Sequence, residues 1–206
     1  MSSIVNSFLI AVITTILSLI VCIPAAYALS RYQFKGRKFI MFSYLLTNSF
    51  PKMGLYVSMG ILFYNYNLMG TLTGVIIVHM INTILFMVWL PMGAFRSIHT
   101  QQEDAARDVG AGPIRTFMKV TLPMAVPGIA VAAIFTFLGS LEEAEGTLLV
   151  GFPVINTMAT EMYGVILDYP ATAGSVFALL LVVPSILIIF IFRKYINPRS
   201  ISSGFK

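Results

Sequence analysis

The sequence predicts an all-α, polytopic membrane protein of about five transmembrane helices with one polar segment held between two of them. Three observations predict it. The 206 residues are 58% hydrophobic and only 10% charged, against about 25% charged in a soluble domain. The apolar residues fall in five runs, at about 4–29, 39–64, 73–95, 124–141 and 172–192, each near the roughly 20 residues that cross a bilayer. Lys and Arg cluster in alternate connections between those runs, the charge bias of loops that stay on the cytoplasmic side.

The first run, 4–29, is too long for the apolar core of a signal peptide and has no basic segment before it, so it is expected to remain in the membrane as span 1. The connection after it holds Arg31, Lys35, Arg37 and Lys38. Span 2 contains Pro51 and Lys52. Pro51 removes a backbone donor and is expected to break the helix there. The next connection, 65–72, has no Lys or Arg, while the segment 96–123 after span 3 carries Arg96, Arg107, Arg115 and Lys119. The long connection 142–171 again lacks Lys and Arg but carries Glu142, Glu143, Glu145, Glu161 and Asp168. The tail beyond span 5 holds Arg193, Lys194, Arg199 and Lys206. The basic segments and the C-terminus are therefore expected in the cytoplasm and 142–171 outside, which also puts residue 4 outside. A preceding span would account for that start.

These features exclude several classes. The net charge of +5 lies beside the spans and gives no nucleic-acid surface. The single cysteine, Cys22, allows neither a disulfide nor a thiolate metal site within the chain. His79 and His99 are far apart in the topology, so no His-based metal site is expected. No glycine-rich loop is followed by Lys-Ser or Lys-Thr, so the chain has no phosphate loop, and no bound cofactor or catalytic residue is expected.

The segment 96–123 is the most informative part. Residues 101–111 suit a short amphipathic helix, with Ala105, Ala106 and Val109 on one face and Asp104 and Asp108 on a neighbouring one. Thr100 is a candidate N-cap, with Glu103 at the capping-box position. Gly110 and Gly112 end that helix, and Pro113 can open a second over 113–121, with Arg115 and Lys119 at i, i+4. Leu122-Pro123 reads as a boundary before span 4. Two short helices joined by a glycine turn and lying along the membrane suit either a docking element for a soluble partner or a solvated loop.

The order Asp104-Ala105-Ala106, three residues, Gly110, nine residues, Val120-Thr121-Leu122-Pro123 resembles the signature of ABC importer permeases. That signature is Glu-Ala-Ala, three residues, Gly, nine residues, Ile, one residue, Leu-Pro; Asp104 and Val120 are the two departures. Residues Asn6-Ser7-Phe8-Leu9-Ile10, Ala25 to Tyr32, Phe34-Lys35-Gly36-Arg37 and the end Ser203-Gly204-Phe205-Lys206 are similar to maltose-type, binding-protein-dependent permeases. The resemblance covers essentially the whole chain and implies a type I importer permease core in the plasma membrane of a prokaryote. It implies no enzymatic activity in this chain: a separate pair of ATPase subunits would bind ATP and Mg²⁺. It also implies a second, similar but distinct permease and an external solute-binding protein. Asp104, Ala105, Ala106, Asp108, Gly110, Arg115, Leu122 and Pro123 would then dock the ATPase, with nucleotide-driven closure rocking the spans between inward-open and outward-open states. Such permeases also have one further helix before the Asn-Ser start.

Candidates for the translocation pathway come from polar residues at membrane depth. A charge at the bilayer centre costs roughly 3 kcal/mol on insertion scales, so Lys52 is expected to face a pore or a partner. Asn48, Ser49 and Asn82 suit either helix–helix hydrogen bonds or solute contact. His79 reads as a satisfied structural residue. Glu142, Glu143 and Glu145 suit an outer mouth or a solvated face, and 146–170 a loop that re-enters or caps the pore. The solute reading leans to a sugar or oligosaccharide, with a polyamine or other small charged solute as the alternative. An ATP-independent channel or scaffold, and a membrane-embedded enzyme using the acidic cluster, are the readings from other classes.

Overall fold

The computed structural model describes residues 2–192, and every regular element among them is helical. In order they are α1 (Ser3–Arg31), α2 (Arg37–Ser49), α3 (Lys52–Asn65), α4 (Leu72–Ser97), α5 (Thr100–Asp108), α6 (Pro113–Thr116), α7 (Leu122–Leu141), α8 (Glu145–Val150), α9 (Met158–Asp168) and α10 (Ala171–Phe192). A π-helical turn, Phe117–Thr121, joins α6 to α7.

The centre is a bundle of α1, α4 and α7, which pack against one another in all three pairings. Its core draws Cys22, Ile23, Ala26 and Leu29 from α1, Met87, Val88, Met92 and Phe95 from α4, and Ala125 and Ala132 from α7. Bilayer lipid is as apolar as these side chains, so close packing rather than exclusion of water has to hold the helices together. The α7 face supplies small residues for it: a Cβ added at Gly128 would collide with the Cβ of Ala94 on α4. Outward-facing Ile16, Ile20, Val21 and Val126 are exposed, as expected of surfaces covered by lipid or by another subunit.

Ser3–Arg31, Leu72–Ser97 and Pro113–Leu141 are the helices long and apolar enough to cross a membrane by length and composition among the described residues. The expected continuous span 39–64 is two helices, of 13 and 14 residues, separated at Phe50-Pro51. At 1.5 Å per residue each reaches about 20 Å, short of the roughly 30 Å hydrocarbon core. The break falls where Pro51 was expected to put it. Helix α2 buries none of its residues and leans on α4, while α3 packs against α8.

The connection 142–171 is built rather than loose. Helix α9 opens with a capping box between Thr157 and Thr160. Its start is tied to α1: Met158 N–H donates to Ser7 Oγ at 2.8 Å, Asn6 Nδ2 donates to the Asn156 carbonyl at 2.9 Å, and Ser3 Oγ donates to Glu161 Oε1 at 2.9 Å. The Asn6-Ser7 pair thus anchors the distant connection. Helix α10 packs on α9 and α7, and residues 193–206, including the tail cations, lie outside the described residues.

Candidate functional site

The polar segment leaves α4 at Ser97 and forms α5 over Thr100–Asp108. His99 rather than Thr100 is the N-cap, and no side chain caps the helix. Glu103 therefore does not close a capping box; its carboxylate turns inward and is 3% exposed. The helix ends in a Schellman arrangement. Gly110 N–H donates to the Arg107 carbonyl at 2.8 Å, and Ala111 N–H to the Ala106 carbonyl at 3.0 Å. Gly110 has φ +88°, a left-handed conformation that a side chain would strain.

Pro113 opens α6 at its first position, as expected. The segment 113–121 is not a separate helix, however, and Leu122-Pro123 is not a boundary: helix runs without interruption from Pro113 to Leu141. The π-helical turn explains it. The N–H of Leu122 reaches back five residues to the Phe117 carbonyl. This wider turn makes room for Pro123, whose ring would otherwise crowd the carbonyl four residues before it. The same turn aims Thr121 at Glu103.

Glu103 is held from three directions. Arg31 Nε on α1 donates to Oε1 at 2.8 Å, Thr121 Oγ1 donates to Oε1 at 3.0 Å, and Tyr27 OH on α1 donates to Oε2 at 3.2 Å. Arg107, one turn along α5, lies 4.0 Å from Oε2. Arg31 also donates through its terminal nitrogen to the Ile98 carbonyl at 3.0 Å, fixing the link between α4 and α5. Beneath this cluster Tyr27, Phe95 and Phe117 pack edge or tilted, with centroids 4.7–6.1 Å apart. Sequence reasoning missed the cluster; the available signal was a Glu directly before the Asp-Ala-Ala triplet.

The residues expected to dock a partner mostly lie on the outer side of this anchor. Asp104, Ala105, Asp108, Gly110, Arg115 and Pro123 are exposed, while Ala106 and Leu122 are half-buried. Asp104 shares an ion pair with Arg107 at 3.7 Å. Val109 is 85% and Ile114 80% exposed, so the glycine turn presents two apolar side chains at its rim. Ile114 was not singled out from the sequence.

The pathway candidates converge in part. Asn48 at the end of α2, Lys52 at the start of α3 and Asn82 on α4 line one narrow cleft with Thr47, Leu55, Tyr56 and Ile81. Among the described residues no acidic side chain pairs with Lys52. Tyr56, at the floor, donates to Glu143 Oε2 at 2.9 Å, and Gly146 N–H donates to Glu143 Oε1 at 2.8 Å. Glu143 is 5% exposed and ties α3 to the start of α8; Glu142 points away and is exposed. Ser49 lies outside the cleft, its hydroxyl bonded back to the Leu45 carbonyl at 3.0 Å. His79 bridges Ser140 on α7 and Thr147 on α8 at 2.7 and 2.8 Å, both ring nitrogens satisfied.

Residues 5–202 match the family described as the binding-protein-dependent transport system inner membrane component. The chain is 30% identical over 204 residues, 97% of its length and 67% of the relative's, to the diacetylchitobiose uptake system permease protein NgcG of Streptomyces coelicolor. It is 26% identical over 204 residues, 95% of its length and 73% of the relative's, to the trehalose transport system permease protein SugB of Mycobacterium tuberculosis. A putative ABC transporter permease protein, ORF1, of Streptomyces antibioticus matches at 30% over 138 residues; that alignment takes in 67% of this chain and 60% of the relative, so the chain spans only part of the longer protein. The inward-facing MetNI methionine ABC transporter shares the fold, with a TM-score of 0.74 over 92% of this chain and 90% of that one at 22% identity. The family match over nearly the whole chain, with a helical bundle that projects a glycine-turned polar segment from one end, makes this chain a member of the family of inner-membrane permease components of binding-protein-dependent ABC importers.

Proposed function

We propose that this chain lines one half of a solute pathway and is driven by separate ATPase subunits that dock on α5 and the turn at Gly110. The observation that carries the reading is the exposed pair Val109 and Ile114 at the tip of a segment whose fold is fixed from behind by a buried carboxylate. Apolar side chains exposed at a polar tip suit an apolar groove on a soluble partner. The ATPases bind ATP and Mg²⁺; this chain positions and transmits. The tip and the basic ends of α1 and α4 face the cytoplasm. A second, distinct permease completes the pathway, and an external binding protein delivers solute to the opposite face.

The solute is a sugar or oligosaccharide in this reading. Relatives named for diacetylchitobiose and trehalose transport favour it. So does the cleft lining, in which Thr47, Asn48 and Asn82 offer neutral hydrogen-bonding groups. A polyamine is disfavoured there, because Lys52 is the cleft's charge and Glu143 is already engaged by Tyr56 and Gly146. The test is to recover the external binding protein with the complex and screen it against disaccharides, chito-oligosaccharides and polyamines. A carbohydrate that binds it and whose uptake falls with Asn82→Leu supports the reading, and a polyamine as the tight ligand overturns it.

A further inference from the structure

Helix α5 meets the rest of the protein in an unusual way. Glu103 is its single buried residue; of the small residues on its apolar face, Ala105 is exposed and Ala106 only half-buried. The helix is attached by a carboxylate rather than by an apolar stripe, which is how short surface helices are ordinarily held. The attachment reaches two separate parts of the bundle at once. Through Arg31 and Tyr27 it grips the end of α1, and through Thr121 it grips the π-helical turn that feeds α7. Arg31 holds the carbonyl of Ile98 as well, so the exit from α4 belongs to the same cluster. The end of α1 and the turn before α7 therefore meet α5 at one buried anion, and the exit from α4 joins them through Arg31. A group of charged hydrogen bonds over an aromatic floor is stiff and directional, and it has a single low-energy arrangement.

We infer that Glu103 is a positioning residue for transport: it transmits displacement of the docked α5 helix to α1 and α7 as one body. This inference rests on reading α5 as the element that docks the ATPase. Its content is separate, because Glu103 faces away from the partner and acts through Arg31 and Thr121. A purely structural anchor would be needed for folding and assembly alone. A transmitting anchor is needed in every cycle, so weakening it separates ATP hydrolysis from solute movement while the complex stays assembled.

The experiment uses the complex purified with its ATPase subunits and binding protein, reconstituted in vesicles, with ATP hydrolysed per solute taken up as the readout. Glu103→Gln keeps the shape and removes the charge. It is expected to co-purify with the ATPase at the wild-type yield and to raise ATP consumed per solute about fivefold or more, the lower end of ordinary coupling free energies. Thr121→Val, which removes one hydrogen bond and leaves the ion pair, is expected to raise it about twofold. A wild-type ratio in an assembled Glu103→Gln complex overturns the inference. So does loss of both single variants from the membrane, which would make the cluster a folding element only. A surface variant, Gly110→Asp with Ala106→Trp, separates the two ideas. If it retains the ATPase, the docking reading fails and this inference with it. If it loses the ATPase while Glu103→Gln transports with the wild-type ratio, only this inference falls.

Discussion

The two ends of α4 solve opposite problems. At its Ser97 end the chain makes one stiff arrangement: a buried carboxylate with four partners, a left-handed glycine and a π-helical turn that fix the outline of a projecting tip. Toward its Leu72 end the neighbouring structure is made of short pieces. Helices α3 and α8 are 14 and 6 residues long, and α3 follows a proline break with a lysine beside it. There the buried carboxylate, Glu143, links short elements to one another instead of locking a tip to the bundle. The difference suits two different tasks. A surface that takes up force from a partner needs a single shape, whereas a pathway that opens and closes is better lined by short helices that can tilt.

The largest expected effect comes from spoiling the stiff end on its outer side. Gly110→Asp with Ala106→Trp puts a side chain at φ +88° and a bulky ring on α5. Solute uptake is expected to disappear while the protein remains inserted, and unchanged uptake in whole cells contradicts the assignment. Next is the seam that both ends share. Gly128→Leu drives a side chain into Ala94, and overpacking of this kind costs about 1–3 kcal/mol. Thermal unfolding in detergent is expected to show a lowered midpoint with the turn at Gly110 chemically intact; an unchanged midpoint would mean that α4 and α7 can part without cost. The smallest effect belongs to the softer end. Tyr56→Phe leaves Glu143 with one of its two donors, a loss of about 0.5–1.5 kcal/mol for one net hydrogen bond. It is expected to alter uptake more than stability, and the reverse order would make the α3–α8 contact structural alone.

The sequence revealed these ends unequally, for physical reasons. The break at Pro51 was legible because a missing N–H and a ring clash act locally. The turn at Gly110 was legible because backbone geometry there demands a particular residue. Pro123 misled for the same local reason: it reads as an end of helix, but the π-helical turn absorbs it, and that turn is made worthwhile by Thr121 reaching Glu103, 18 positions away. Glu103 itself looked like a capping residue, since three-residue spacing from Thr100 is a local pattern, whereas Arg31 lies 72 positions earlier. The cleft of Asn48, Lys52 and Asn82 was legible as three costly polar residues within apolar runs. That they share one cleft, and that Glu143 stands behind it through Tyr56 while Glu142 does not, depends on packing between helices that no spacing encodes.

Engagement of an ATPase by the glycine-turned tip is tested directly by recovering the proteins bound to the tagged chain from detergent-solubilised membranes. The wild-type chain is expected to bring down an ATPase together with a second permease, and the Gly110→Asp, Ala106→Trp chain to bring down the permease without the ATPase. Recovery of the ATPase with both chains, or with neither, would contradict the account.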